Sequence, residues 1–382
     1  MPSSIRGCAM TDIAAATAPN AGRSLWADAW ARLKANRAAM VSVYYLVFMA
    51  ALCIVGPWFT PHAFTTIYQD YNRMPPSLSA YPKPEMLDLA VTDAVRRSRV
   101  ELSGWEQKDS KIYITVTSAK PIDERMTRYI DRSSVFEGAQ IVEKSADGLK
   151  LTLSADVERK YFFFGTDNSG RDLLTRTLIA GRVSLAIGLL AGLVAVVIGV
   201  LYGAAAGFLG GKTDEVLMRI VDILYSLPFI FFVIMLVVFF GRNFVLMFLA
   251  VGAVLWLDMA RIVRGQALSI KRQEYVQAAE ALGVTRTGIL LRHVVPNLLG
   301  PVVIYMTLLV PQVIILESFL SFLGLGVQEP MASWGVLISQ GANNMPGANW
   351  LLFFPSLFLT TTLFSLNFIG DGLRDALDPK DR

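Results

Sequence analysis

Apolar stretches of about twenty residues that recur along one chain leave little choice of solvent. A helix rises about 1.5 Å per residue, so roughly twenty apolar residues cross the ~30 Å hydrocarbon layer of a bilayer. Six stretches of this kind are present, over residues 38–59, 183–207, 217–240, 244–259 (continuing towards Ile262), 298–323 and 350–369. They predict an α-helical polytopic membrane protein with about six transmembrane helices. Pro228 and Pro311 fall inside two of the runs and are expected to kink them. Composition agrees. Hydrophobic residues make up 54% of the chain and charged ones 17%, against about 25% charged in soluble domains. A net charge of +4 makes no case for nucleic acid.

The basic residues report topology. Arg32, Lys34 and Arg37 precede the first run, so its start is expected on the cytoplasmic side. Alternation then puts residues 60–182 outside and Lys212 inside. The loop carrying Arg261, Arg264, Lys271, Arg272, Arg286 and Arg292 is inside. Residues 324–349, which contain no Lys or Arg, are outside, and the tail with Arg374, Lys380 and Arg382 is inside. The positive-inside rule holds for every short loop, and both termini are expected in the cytoplasm. Residues 1–25 lack the apolar core of a signal peptide.

Four regions follow. Residues 1–37 form a cytoplasmic tail, with an amphipathic helix over 25–37 (LWADAWARLKANR) expected at the membrane surface. Residues 38–59 are the first spanning helix. Residues 60–160 are polar and form an extracytoplasmic α/β insert. Within the insert, KIYITVTS (111–118) alternates like a strand. PIDERMTRYIDR (121–132) sets Ile122, Met126, Tyr129 and Ile130 on one helical face. QIVEKSADGLKLTLS (140–154) reads as a hairpin with Asp147-Gly148 in its turn. Residues 161–382 are the core, with the other five helices and a large cytoplasmic loop over 261–297.

One stretch is a decoy. Residues 206–213, AGFLGGKT, fit a loose phosphate-loop filter, but that loop needs a strand before it and a helix after it. Here the letters end a membrane helix, and the expected reading is a turn made flexible by Gly207, Gly210 and Gly211. The chain is not expected to hydrolyse ATP. Cys8 and Cys53, and His62 and His293, are isolated and set up neither a disulfide nor a metal site. No nucleophile, base and orienting group fall at useful spacing.

The large inside loop contains EYVQAAEALGVTRTGILLRHVVPN, residues 274–297. Tyr275, Ala278, Ala279 and Leu282 share a helical face, and Gly283 fits a C′ position with φ > 0. Thr285 can cap a second short helix carrying Ile289, Leu290 and His293, and Pro296 suits the first turn of the next spanning helix. Two short helices tied to a membrane helix make a lever; an ordinary surface hairpin is the equal alternative on these residues alone.

This stretch resembles the coupling loop, or EAA motif, of ABC importer permeases. Gln277-Ala278-Ala279, Gly283 and Pro296 fall in its register. Gln277 stands for the usual Glu, and His293 and Val295 stand for Ile and Leu, substitutions resembling those of the peptide-importer branch. FGTDNSGRDLLTRTLIAGRVSL (164–185), SFLSFLGLGVQEPMASWG (318–335) and FIGDGLRDALDP (368–379) are similar to further signatures of that branch. The resemblance covers residues 25–60 and 161–382, and it is to the C-type subunit of the dipeptide/oligopeptide permease family. The insert departs from it, being longer than the usual first outer loop.

The resemblance implies the ABC importer permease fold in a bacterial inner membrane, surrounded by membrane lipid. The partners it implies are a second, B-type permease, two ATP-binding subunits and an extracytoplasmic substrate-binding protein. ATP and Mg²⁺ would be bound by the partner subunits, with no cofactor in this chain. Glu274, Tyr275, Gln277, Ala278, Ala279, Leu282, Gly283, His293 and Pro296 would couple to an ATP-binding subunit. Glu317, an acid in a spanning run, is a candidate for the translocation path, for a bond to the partner permease, or for a snorkelling interfacial carboxylate. Asp222 and Asp258 are expected to pair structurally with Arg219 and Arg261. Gly188, Gly192, Gly199, Gly203 and Gly207 are expected to admit a neighbouring helix. The cargo stays open: peptides lead, with nickel chelates, opines and similar solutes as alternatives. A secondary transporter or a membrane-anchored sensor fits the lever loop and short tails less well.

Overall fold

A computed structural model describes residues 25–241 and 243–377. The N-terminal stretch with Cys8, Arg242, and the tail residues Lys380 and Arg382 lie outside the described residues. By length and composition, five helices among the described residues can cross a membrane: Arg37–Trp58, Leu173–Leu209, Phe244–Lys271, Arg286–Phe322 and Trp350–Leu377. The sixth apolar run is divided. The predicted helix over 217–240 is instead α6 (Gly211–Tyr225) and α7 (Phe229–Phe240), parted at Ser226-Leu227-Pro228. Pro228 has no N–H to continue the ladder, and its ring disfavours helical φ/ψ at Leu227. A single kinked helix was the wrong expectation there.

The chain opens with α1 (Leu25–Ala35), then α2 (Arg37–Val55), whose N-cap Asn36 accepts the Ala39 N–H at 3.2 Å. Ala29 and Leu33 of α1 pack on Leu373, Ala376 and Leu377 of α13 (Trp350–Leu377), so part of its apolar face is covered by the chain's own last helix. Trp30 remains half exposed.

The region after α2 has a core of its own. Strands β1 (Glu101–Lys108), β2 (Lys111–Thr117), β3 (Phe136–Lys144) and β4 (Lys150–Val157) form an antiparallel sheet in the order β1-β2-β4-β3. Ile112, Ile114 and Val116 of β2 and Leu151, Leu153 and Ala155 of β4 point to one face. They pack with Leu87, Val91 and Val95 of α3 (Pro84–Arg97) and Ile130 of α4 (Thr127–Asp131). The hairpin turn has Gly148 at φ +68°. Tyr81 and Lys160 exchange backbone hydrogen bonds of 2.7 and 2.9 Å, closing the two chain ends that lead into the membrane body.

In that body, α5 (Leu173–Leu209) lies along α8 (Phe244–Lys271). The reason is a stripe of glycines. A Cβ at Gly207 would stand 2.6 Å from the Arg264 carbonyl oxygen, and one at Gly199 2.6 Å from Met259 Cβ; at Gly203 it would overlap the Ala260 carbonyl. Backbones approach because nothing intervenes. Gly207 therefore belongs to this seam, and the α5–α6 turn is made by Gly210 at φ +70° and Gly211 at φ +56°. No strand precedes the AGFLGGKT letters, which are helix on both sides of Gly210. The remaining helices are α9 (Glu274–Ala281), α10 (Arg286–Ile289), α11 (Val295–Phe322) and α12 (Trp334–Asn343).

A candidate coupling lever and two buried polar sites

α9 ends in a Schellman arrangement. The Gly283 N–H donates to the Glu280 carbonyl at 3.0 Å and the Val284 N–H to that of Ala279 at 3.1 Å, with Gly283 at φ +77°. These bonds satisfy carbonyls that the helix end would otherwise leave open. Thr285 Oγ1 then accepts the Gly288 N–H at 3.2 Å and starts α10. No gap separates α10 from the membrane helix. A π-turn, Leu290–Val294, joins α10 to α11 and makes one continuous helix over Arg286–Phe322. Pro296 sits in the first turn of α11, and the wide turn before it accommodates a residue with no N–H. Asn297 Nδ2 donates to the His293 carbonyl at 2.6 Å in the same place.

The two faces of α9 differ. Val276 and Ala279 are buried against Phe208 of α5, Val263 and Ala267 of α8, and Ile289, Val294 and Leu298. Ala279 thus turns inward. Glu274, Tyr275, Gln277, Ala278, Leu282 and Gly283 are exposed, Leu282 to 84%, an unusual fraction for a leucine. His293 is half-buried and Pro296 exposed. The arrangement is an apolar-tipped ridge clamped by its inner face to three membrane helices, so displacement of the ridge has to move them.

At the other end of α5, two signature segments meet. Asp172 caps α5, accepting the Thr175 N–H at 2.8 Å. Asp167 Oδ2 accepts from Arg171 Nε at 2.8 Å and from Arg176, and Arg171 Nη2 reaches Glu329 Oε1 at 2.7 Å. Arg176 is 1% exposed. The Arg171 hydrogen bond holds the Glu329 carboxyl below the usual carboxylate range. A cavity of about 160 Å³ adjoins this network, between Ser169, Glu329 and Gln340. The sequence quoted both segments; nothing in it showed that they touch.

Glu317 lies on α11 and is fully buried inside the subunit. Ser321 Oγ donates to its Oε1 at 2.6 Å. Ser333 Oγ is 3.4 Å from Ser321 Oγ, and Ser184 Oγ accepts the Trp334 N–H at 3.1 Å. Serines from α5, α11 and the start of α12 thus gather around one carboxyl, whose Oε2 has no partner among the described residues. Neither expected pair, Asp222 with Arg219 or Asp258 with Arg261, forms a salt bridge among the described residues; Arg261 bonds Asp222 instead, at 2.9 Å. Arg264 instead grips Asp214 through two hydrogen bonds of 2.6 and 2.7 Å.

Long apolar helices sharing a glycine seam, with a capped ridge clamped to three of them, define a polytopic membrane subunit. The chain belongs to the family of binding-protein-dependent transport system inner membrane components, whose profile matches residues 184–382. A second profile, the N-terminal TM domain of oligopeptide transport permease C, matches residues 24–76. The chain is similar to the oligopeptide transport system permease protein OppC of Escherichia coli (strain K12): 59% identity over 244 residues, 64% of this chain and 80% of the relative. It is 45% identical to OppC of Haemophilus influenzae over 361 residues, 94% of this chain and 90% of the relative. It is 36% identical to the dipeptide transport system permease protein DppC of Bacillus subtilis over 356 residues, 93% and 86% of the two chains. A family of this kind is multi-pass in the inner membrane and is not catalytic; it works with further permease and ATPase subunits.

Proposed function

We propose that this chain is the C-type transmembrane subunit of a peptide importer. It would form the translocation path with a B-type permease, receive di- and oligopeptides from an extracytoplasmic binding protein, and be driven by two subunits that bind ATP and Mg²⁺. The observation that carries the reading is the lever: an exposed α9 ridge, a Schellman-capped Gly283, and an unbroken helix from Arg286 into the membrane. Closure of an ATP-binding subunit on Tyr275, Ala278 and Leu282 would push α9. The Val276–Ala279 face would pass the push to α5, α8 and α11 as a rigid-body rotation, and the path would open alternately to each side. The names of the relatives support peptides as cargo. The positive-inside pattern supports cytoplasmic termini and, with them, an insert on the outer side.

Affinity purification of the tagged chain from native membranes, followed by reconstitution in liposomes, tests this. Recovery of a second permease and ATP-binding subunits, with ATP-dependent peptide uptake, is expected. A chain that purifies alone from membranes in which a control importer stays whole would overturn it.

A further inference from the structure

The break between α6 and α7 opens onto a cavity of about 410 Å³. Its walls are almost wholly apolar, with Leu227, Phe232 and Leu316 among them, and its polar lining comes from Tyr225 and Asp258. Asp258 lies on α8, in a segment long and apolar enough to span. The nearby cations are engaged elsewhere. Arg261, one turn on, bonds Asp222 and lies over the Tyr225 ring at 4.2 Å from its centroid. Arg264 is held by Asp214. Asp258 makes no salt bridge and no hydrogen bond among the described residues, and feels the charge of Arg261 only at a distance.

A carboxylate facing a cavity in an apolar segment is costly unless something pairs with it. Interrupted membrane helices are tolerated where they line such a cavity, and transporters place cargo at these breaks. The α6 end and the α7 start present opposite dipole ends to the gap and offset one another, and Asp258 is the one ionisable carboxyl in the cavity lining. It fits a cation, and the Phe232 ring of the wall favours one further.

We propose that this cavity is a subsite of the translocation path that takes the protonated amine of the cargo, with Asp258 as its counter-ion. The proposal rests on the peptide-import reading. A peptide with a free N-terminus carries one α-ammonium whatever its side chains. A single carboxylate among apolar walls would therefore pass peptides of varied sequence and disfavour acyl-capped ones.

The test uses the whole complex in liposomes, with binding protein and ATP, and follows uptake of tri-alanine and of N-acetyl-tri-alanine. The wild type is expected to prefer the free amine by about tenfold, the worth of one charge-assisted hydrogen bond. Asp258→Asn should erase most of that preference with all subunits still co-purifying, and Asp258→Glu should restore it. An unchanged preference in Asp258→Asn, or equal loss for both peptides, overturns the subsite. Loss of the second permease from the Asp258→Asn complex also overturns it, and assigns Asp258 to an ion pair with that subunit. A wild-type complex that imports neither peptide contradicts the import reading itself, and the subsite falls with it.

Discussion

Glycine is used in two ways at neighbouring positions of the same helix pair. Gly203 is buried where a Cβ would overlap the Ala260 carbonyl of α8, whereas Gly265 of α8 is exposed with nothing within 4 Å of where its Cβ would stand. Gly203→Ala has to part α5 from α8. It should lower the midpoint of thermal unfolding of the detergent-solubilised subunit by several degrees. Gly265→Ala should leave the midpoint level or raise it, since an unobstructed helical Gly→Ala change stabilises by roughly 0.5–1 kcal/mol. Equal effects from both would remove the close-packed seam from the account. The spacing of Gly199, Gly203 and Gly207 was legible in the sequence as a contact stripe. Which helix it met was not, because α5 and α8 are separated by the α6–α7 segment and spacing carries no information about partners. Ala279 is a second case: its place in a motif said that it mattered, but only packing shows that it faces Val263 and Ala267 of its own chain.

Elements differ in how plainly they announced themselves. β2 and the β3–β4 hairpin alternate cleanly, and both formed. β1, ELSGWEQK, is an edge strand with little burial on either face, so its pattern carries no alternation to read. α3 is an element the sequence reading missed, although Pro84 in its first turn and Leu87, Val91, Ala94 and Val95 at helical spacing carry the signal. The apolar run over 217–240 misled because hydropathy counts residues and ignores the missing N–H of Pro228. The link between the start of α5 and the segment before α12 was invisible for a different reason: Arg171 and Glu329 are 158 residues apart. That link should depend on pH. Arg171 lowers the folded-state value of Glu329, so its stabilisation is present above the ordinary carboxylate range and is lost as pH falls through the lowered value. Glu329→Gln should reduce the unfolding midpoint at pH 7, and its difference from wild type should close as pH falls from the ordinary carboxylate range through the lowered value. A difference that persists in acid would assign the effect to packing.

The whole molecule reads as two bodies with separate cores. Every buried residue of the insert's hydrophobic cluster falls between Tyr71 and Phe162, and none comes from a membrane helix. About a hundred residues can sustain such a core. A fragment over residues 62–163 should therefore be soluble and unfold cooperatively in urea; a molten or aggregated fragment would show that it needs the membrane body. In that body, α9 is fixed by its inner face and free on its outer one, and Gly283 is the pivot on which the geometry turns. No side chain stands near Gly283, so Gly283→Val creates no clash and acts only through φ +77°, which a β-branched residue adopts at a cost of about 1–2 kcal/mol. The most direct measurement of the coupling account is peptide uptake and ATP hydrolysis by the reconstituted complex carrying Gly283→Val. The account predicts that the subunits still co-purify while uptake per ATP hydrolysed falls about tenfold. Uptake per ATP equal to that of the wild type would contradict it.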